Sequence, residues 1–306
     1  MRFKNRLKLV LGHKRIVRKK SGGFGLLHFG VLVPNFGSCC GSPRELAELA
    51  VEAEGSGWDG FFIFDHISYS NNERVPLADP WVALAAIAMN TKRMRIGPLV
   101  TPLARRRPWK LARETVSIDH LSNGRLTLGV GLGDPVDVEF TPLGENGEDR
   151  IRAAKLDEGL EVLVGLWSGE PFSHLGKHYE VRNVQFLPRP FQSPRIPIWV
   201  AGRWPRREPI LRAARWEGVF PLGLERGSKL NPDEMRKVLS FIRNHRVNTT
   251  AYDLVATSGA NGHVDDNEML SAYAAAGVTW WLEDLRNWCN SSLELGSRIR
   301  NGPPRI

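Results

Sequence analysis

Cysteine is scarce: Cys39, Cys40 and Cys289 are the only three among 306 residues. Three thiols cannot build a disulfide framework, and no Cys-x-x-Cys pair or Cys/His cluster offers a structural zinc site. A reducing, cytoplasmic setting is therefore expected. Long apolar runs are lacking too. None approaches the ~20 residues of a membrane span, so no membrane partner is expected. Acidic residues are missing from the first twenty positions, which carry nine Lys and Arg from Arg2 to Lys20. Removing these from the 42 Lys and Arg leaves 33, against 33 Asp and Glu. The net charge of +9 thus belongs to the tail, and the rest is neutral. A neutral body argues against a nucleic-acid partner. Residues 1–24 read as a basic, solvated extension and residues 25–306 as a single folded domain. Aromatics are not scarce: ten Trp and thirteen Phe supply ample surface to bury.

Short apolar runs alternate with helical patterns along that domain. Phe61-Phe62-Ile63-Phe64 is a continuous apolar strand, as expected where both faces are covered. Ser42-Pro43-Arg44-Glu45 and Asn231-Pro232-Asp233-Glu234 carry the capping-box spacing of helix starts. Strand starts fall near 29, 61, 95, 126, 197, 217, 252 and 278. The interval is about 30 residues, with one long gap between the fourth and fifth. Eight strand–helix units predict an α/β chain folded as a (β/α)₈ TIM barrel with an insertion between strands 4 and 5. A doubly wound open sheet would show a dinucleotide fingerprint at its first turn, and Pro34-Asn35-Phe36-Gly37 has none.

In such a barrel the chemistry sits at the C-terminal ends of the strands. That rule selects Asn35, Asp65-His66, Leu99 to Thr101, Gly131 to Asp134, Ala201-Gly202-Arg203, Pro221-Leu222 and Ser258-Gly259. His66 can carry a proton near neutral pH, or serve as a hydrogen-bonding residue. No metal site is expected, since neither HxH nor HExxH occurs. Gly129-Val130-Gly131-Leu132-Gly133 is GxGxG, not GxGxxG. It reads as a turn stripped of side chains where a planar ligand meets the backbone. Arg105-Arg106-Arg107 either binds phosphate or is solvated. Ala201-Gly202-Arg203, with Arg206 and Arg207 close by, is a candidate anion site. Trp204, Trp280 and Trp281 either stack on a ligand or pack, with packing favoured for the last two.

Three runs carry a family resemblance: Arg107-Pro108-Trp109-Lys110-Leu111-Ala112-Arg113-Glu114, Ser117 to Arg125, and Leu128 to Gly133. Together with Asp65-His66, Gly97 to Pro102 and Pro197 to Gly202, they resemble the luciferase-like monooxygenases. These are flavin- or deazaflavin-dependent oxidoreductases on a (β/α)₈ barrel. The resemblance implies FMN or coenzyme F420 as cofactor, and the Asp65-His66 pair leans toward F420. It makes His66 the proton-handling residue. Asp134 stands where sugar-phosphate dehydrogenases of the family carry a catalytic Glu, and here the side chain is shorter. It puts Asp65, Leu99, Val100, Thr101, Gly131 and Gly133 around the cofactor, with a non-proline cis peptide at Leu99–Val100. Ala201, Gly202 and Arg203 would hold its phosphate. A small organic substrate, a separate flavin or F420 reductase and a homodimer follow as expected partners. A non-catalytic flavin-binding barrel is the alternative.

Overall fold

The computed structural model describes residues 27–69, 74–248, 250–259 and 266–305. The basic extension and part of the loop after the second strand (70–73) lie outside the described residues.

Eight strand positions form one parallel ring. Strands β1 (His28–Val33) and β2 (Gly60–Ile63) alternate with helices α1 (Pro43–Gly55) and α2 (Pro80–Asn90). The third position is split into β3 (Arg95–Pro98) and β4 (Thr101–Pro102), followed by α3 (Pro108–Leu121). The fourth is β5 (Leu128–Gly131), followed by α4 (Val136–Glu139) and α5 (Asp149–Trp167). An antiparallel hairpin, β6 (Phe172–Leu175) with β7 (Glu180–Val184), then precedes β8 (Ile198–Arg203). The ring continues through α6 (Arg207–Ala213), β9 (Gly218–Leu222), α7 (Pro232–His245), β10 (Asp253–Thr257), α8 (Asn267–Ala275), β11 (Trp280–Asp284) and α9 (Ser292–Arg300). The sheet order β3-β2-β1-β11-β10-β9-β8-β5-β4 begins and ends on the two halves of the third position. A parallel bridge between Ile96 and Leu126 closes the ring. This is the expected (β/α)₈ barrel, and the long gap between its fourth and fifth strands holds α4, α5 and the hairpin.

The elements form for visible reasons. Asn231 caps α7 with a complete capping box to Glu234. At α1 Ser42 caps the helix differently, accepting from the Arg44 N–H one residue before the box position, and Pro43 starts the helix. The β2 run is buried throughout because ring neighbours cover one side and helices the other. Phe62, Trp199 and Trp280, from three strands, meet inside the ring with centroids 5.2–5.9 Å apart. Trp281 packs on Tyr273 and Trp204 on Phe241, so all three tryptophans in question have protein neighbours.

Gly97 marks the tightest point of the ring. A Cβ there would lie 1.9 Å from the Thr127 carbonyl oxygen. Replacing Gly97 by alanine therefore forces the third and fourth strands apart. Overpacking of a filled core typically costs ~1–3 kcal/mol, and rigid backbone has less room to yield than side chains. The G97A variant should show that loss or more in its denaturant midpoint at unchanged slope; a wild-type midpoint would mean the ring relaxes freely there.

Candidate active site

The C-terminal ends of the strands surround a cavity of about 420 Å³. Leu32, Phe64, Leu99, Val100, Phe220 and Leu222 give it apolar walls. His66 lies at the end toward β1 and β2, and Arg203, Arg206 and Arg226 stand at the other. The rest of the lining is strongly charged, with six arginines and five carboxylates, so the cavity offers both an apolar surface and polar groups, as cofactor sites do.

His66 follows β2 and is held twice. Asn35, wholly buried after β1, donates to the His66 carbonyl at 2.7 Å and accepts from its N–H at 3.3 Å. Phe36, Phe64 and Tyr69 surround the ring edge-on at 5.6–5.9 Å. The ring's Nδ1 is buried, 3.2 Å from Oε1 of Glu139 at the end of α4. That contact is at ion-pair distance without the alignment of a full hydrogen bond. Glu139 itself is fully buried and accepts the Ile67 N–H at 2.7 Å and the Ser68 N–H at 3.3 Å. Sequence reasoning missed it. The signal was a lone charge between the apolar neighbours Val138 and Phe140.

Asp65 points away from the ring of His66 into a buried ion cluster. Thr101 donates to Oδ2 at 2.7 Å, while Arg105 and Arg106 reach Oδ1 at 2.9 and 2.6 Å. Burial alone would push this carboxyl up. The Arg106 and Arg105 charges, with hydrogen bonds from Arg106 and Thr101, overcome that and hold it below the usual carboxylate range. Arg105 and Arg106 are thus neither solvated nor directed at a phosphate. Only Arg107 of the triplet is elsewhere, over the Trp109 ring.

Asp134 stands at the cavity rim, half exposed, 3.4 Å from Arg226 and 3.8 Å from Arg203. The carboxylate beside His66 is Glu139 instead. Arg203 also donates to the carbonyls of Gly223 and Leu224. The cis peptide falls at Leu99–Val100, in the break between β3 and β4. Gly131 and Gly133 line the cavity, and the neighbouring strand gives the glycines a further reason. A Cβ at Gly129 would lie 2.4 Å from the Pro98 carbonyl oxygen, one at Gly131 2.8 Å from Val100, and one at Gly133 2.6 Å from Pro102. The glycine turn makes room for the third strand. Gly202 likewise faces Pro209, at 2.4 Å from its would-be Cβ, and Ala201 lines the cavity beside it. Among the described residues no group of three or more His, Cys, Asp or Glu can hold a metal ion. No described helix is long and apolar enough to cross a membrane.

The family model for luciferase-like monooxygenases matches residues 27–251. The chain belongs to that family. The chain is 34% identical over 166 residues to an F420-dependent glucose-6-phosphate dehydrogenase of Amycolatopsis mediterranei, covering 53% of this chain and 49% of that protein. It spans about half the length of the curated relatives it matches. In fold it resembles an F420-dependent secondary alcohol dehydrogenase in complex with an F420–acetone adduct: TM-score 0.71, 16% identity, 90% of this chain and 97% of that one. It also resembles the FMN-bound oxygenating constituent of 3,6-diketocamphane monooxygenase of Pseudomonas putida: TM-score 0.60, 18% identity, 76% and 67% covered.

Proposed function

We propose that this luciferase-like monooxygenase family member is a deazaflavin-dependent oxidoreductase that moves a hydride between coenzyme F420 and a small alcohol or carbonyl compound. The observation that carries the reading is His66, set in a cavity with apolar walls, with one ring nitrogen buried against a carboxylate. The sequence likeness to F420-dependent dehydrogenases supports it.

The cavity's residues fit such a cofactor. Apolar walls suit a planar ring, and the partly exposed guanidiniums of Arg203 and Arg226 suit its phosphate. When bound, the deazaflavin supplies a hydride acceptor or donor. His66 supplies the proton partner: it takes the hydroxyl proton when an alcohol is oxidised and returns it when a carbonyl is reduced. Leu99 and Val100 line the cavity and would back the ring, whereas Thr101 is buried behind them and holds Asp65. Asp134 acts as the counter-ion that spaces the rim arginines.

The first test is a spectral titration with F420 and, separately, with FMN. Saturable binding of F420 at lower concentration than FMN is expected. Tighter binding of FMN would move the protein to the second reading, oxygenation with reduced FMN delivered by a separate reductase. The same titration tests the rim. Charge-assisted contacts are worth ~1.5–3 kcal/mol, so R203A should weaken cofactor binding about tenfold or more, and less at high salt. An equal loss for a phosphate-free fragment of the cofactor would place the phosphate elsewhere.

A further inference from the structure

We infer that Glu139 is a positioning residue that keeps a proton on Nδ1 of His66, so that the cavity-facing Nε2 of the neutral ring is a proton acceptor. The inference rests on the reading of His66 as the proton-handling group and adds which nitrogen does the work and what sets it.

The two ring nitrogens lie in opposite surroundings. Nδ1 is buried and 3.2 Å from Glu139 Oε1, whereas Nε2 has no hydrogen-bond partner among the described residues and the ring borders the cavity. In a neutral imidazole one nitrogen carries hydrogen and the other a lone pair. A lone pair on Nδ1 would confront a carboxylate oxygen across 3.2 Å of buried space, which is repulsive. A hydrogen there is attracted to the same oxygen even without full alignment, because the surroundings screen little. The proton therefore sits on Nδ1 and the lone pair on Nε2.

The carboxylate cannot turn away from this task. Its Oε1 also accepts the N–H groups of Ile67 and Ser68, the two residues that follow His66. Helix α4 and the segment after β2 are thereby tied at the atom that faces the imidazole. The other oxygen, Oε2, is buried with no hydrogen-bond partner and lies 3.9 Å from the Arg105 guanidinium, which Asp65 already holds. Asn35 fixes the backbone of His66 from the opposite side. Backbone and ring are thus set by two different residues, and among the described residues Glu139 is what distinguishes one ring nitrogen from the other.

Nitrogen NMR of the imidazoles in the cofactor-free full chain tests this, with His66 assigned by its loss in H66N. At a pH where the ring is neutral, wild-type His66 should show a protonated Nδ1 and a bare Nε2. Glu139→Ala should move the proton toward Nε2. Glu139→Gln should restore the wild-type pattern, because the Ile67 N–H demands a carbonyl oxygen, not an amide group, at the Oε1 position. A wild-type ring with the proton on Nε2 would overturn the inference, as would an E139A spectrum identical to wild type. If E139A does not fold, the wild-type spectrum alone decides. No turnover is read, so failure here is separate from failure of the F420 titration.

Discussion

Replacing His66 by asparagine is expected to lower turnover by about 10²–10⁴-fold while leaving cofactor affinity nearly unchanged. General acid–base catalysis contributes on that scale, and asparagine removes the titratable nitrogen while keeping a polar side chain of similar reach. The fold should tolerate the change. Asn35 holds the backbone of residue 66, not its side chain, and the ring is not part of the Asp65 ion cluster. Steady-state kinetics and a cofactor titration on one folded sample separate the outcomes. Turnover and affinity lost together would make His66 a packing residue. Near-wild-type turnover would remove it from the mechanism altogether.

The largest loss of stability is expected from Asp65→Asn. The side chain is fully buried and pairs with two guanidiniums that are themselves largely buried. Removing one partner of such a cluster leaves charge without compensation and typically costs ~3–5 kcal/mol. Glu139 does not replace it: its Oε2 lies 3.9 Å from Arg105, while its Oε1 is anchored by Ile67 and Ser68. The pH dependence has a definite sign. Asp65 is held below its unfolded value in the folded protein, so its stabilisation is complete above the unfolded carboxylate range and disappears as pH falls through the folded value. Denaturant titrations at neutral and acid pH should show wild type losing stability in that acid window. D65N should be weaker at neutral pH and flatter on acidification. Equal neutral-pH midpoints for the two proteins would show that water, not Asp65, balances the arginines.

How much of this was legible in the sequence depended on the range of the forces involved. The eight strand positions were readable because burial on both sides writes continuous apolar runs such as Phe61 to Phe64. Helix starts were readable because capping is local, as at Asn231 and Glu234. The cis peptide at Leu99–Val100 was expected from family likeness, not from any pattern in the residues themselves. Arg105 and Arg106 read as solvated or phosphate-binding because their partner, Asp65, lies forty positions away. The glycines at 129, 131 and 133 were read as a turn where a planar ligand meets the backbone. The neighbouring strand also approaches there, and nothing in a single sequence says which neighbour that is. Glu139 escaped because its partner depends on where the α4 turn meets the loop after β2, a contact between distant segments.

The closure of the ring has a consequence for how the chain reaches this form. Strand β1 has β2 on one side and β11 on the other, with Phe29 opposite Trp281. Outside the sheet, Trp58 donates to the Ile299 carbonyl at 2.9 Å and Arg300 pairs with Glu52, so α9 lies against the start of the fold. During synthesis β1 must wait for β11 before both its edges are satisfied. Until then β1 and whichever strand was made most recently present open backbone, a template for pairing with another nascent chain. Contacts of such long sequence separation also slow the final step. A barrel escapes edge-to-edge aggregation once closed, and so its period of greatest exposure is the interval on the ribosome before β11 emerges.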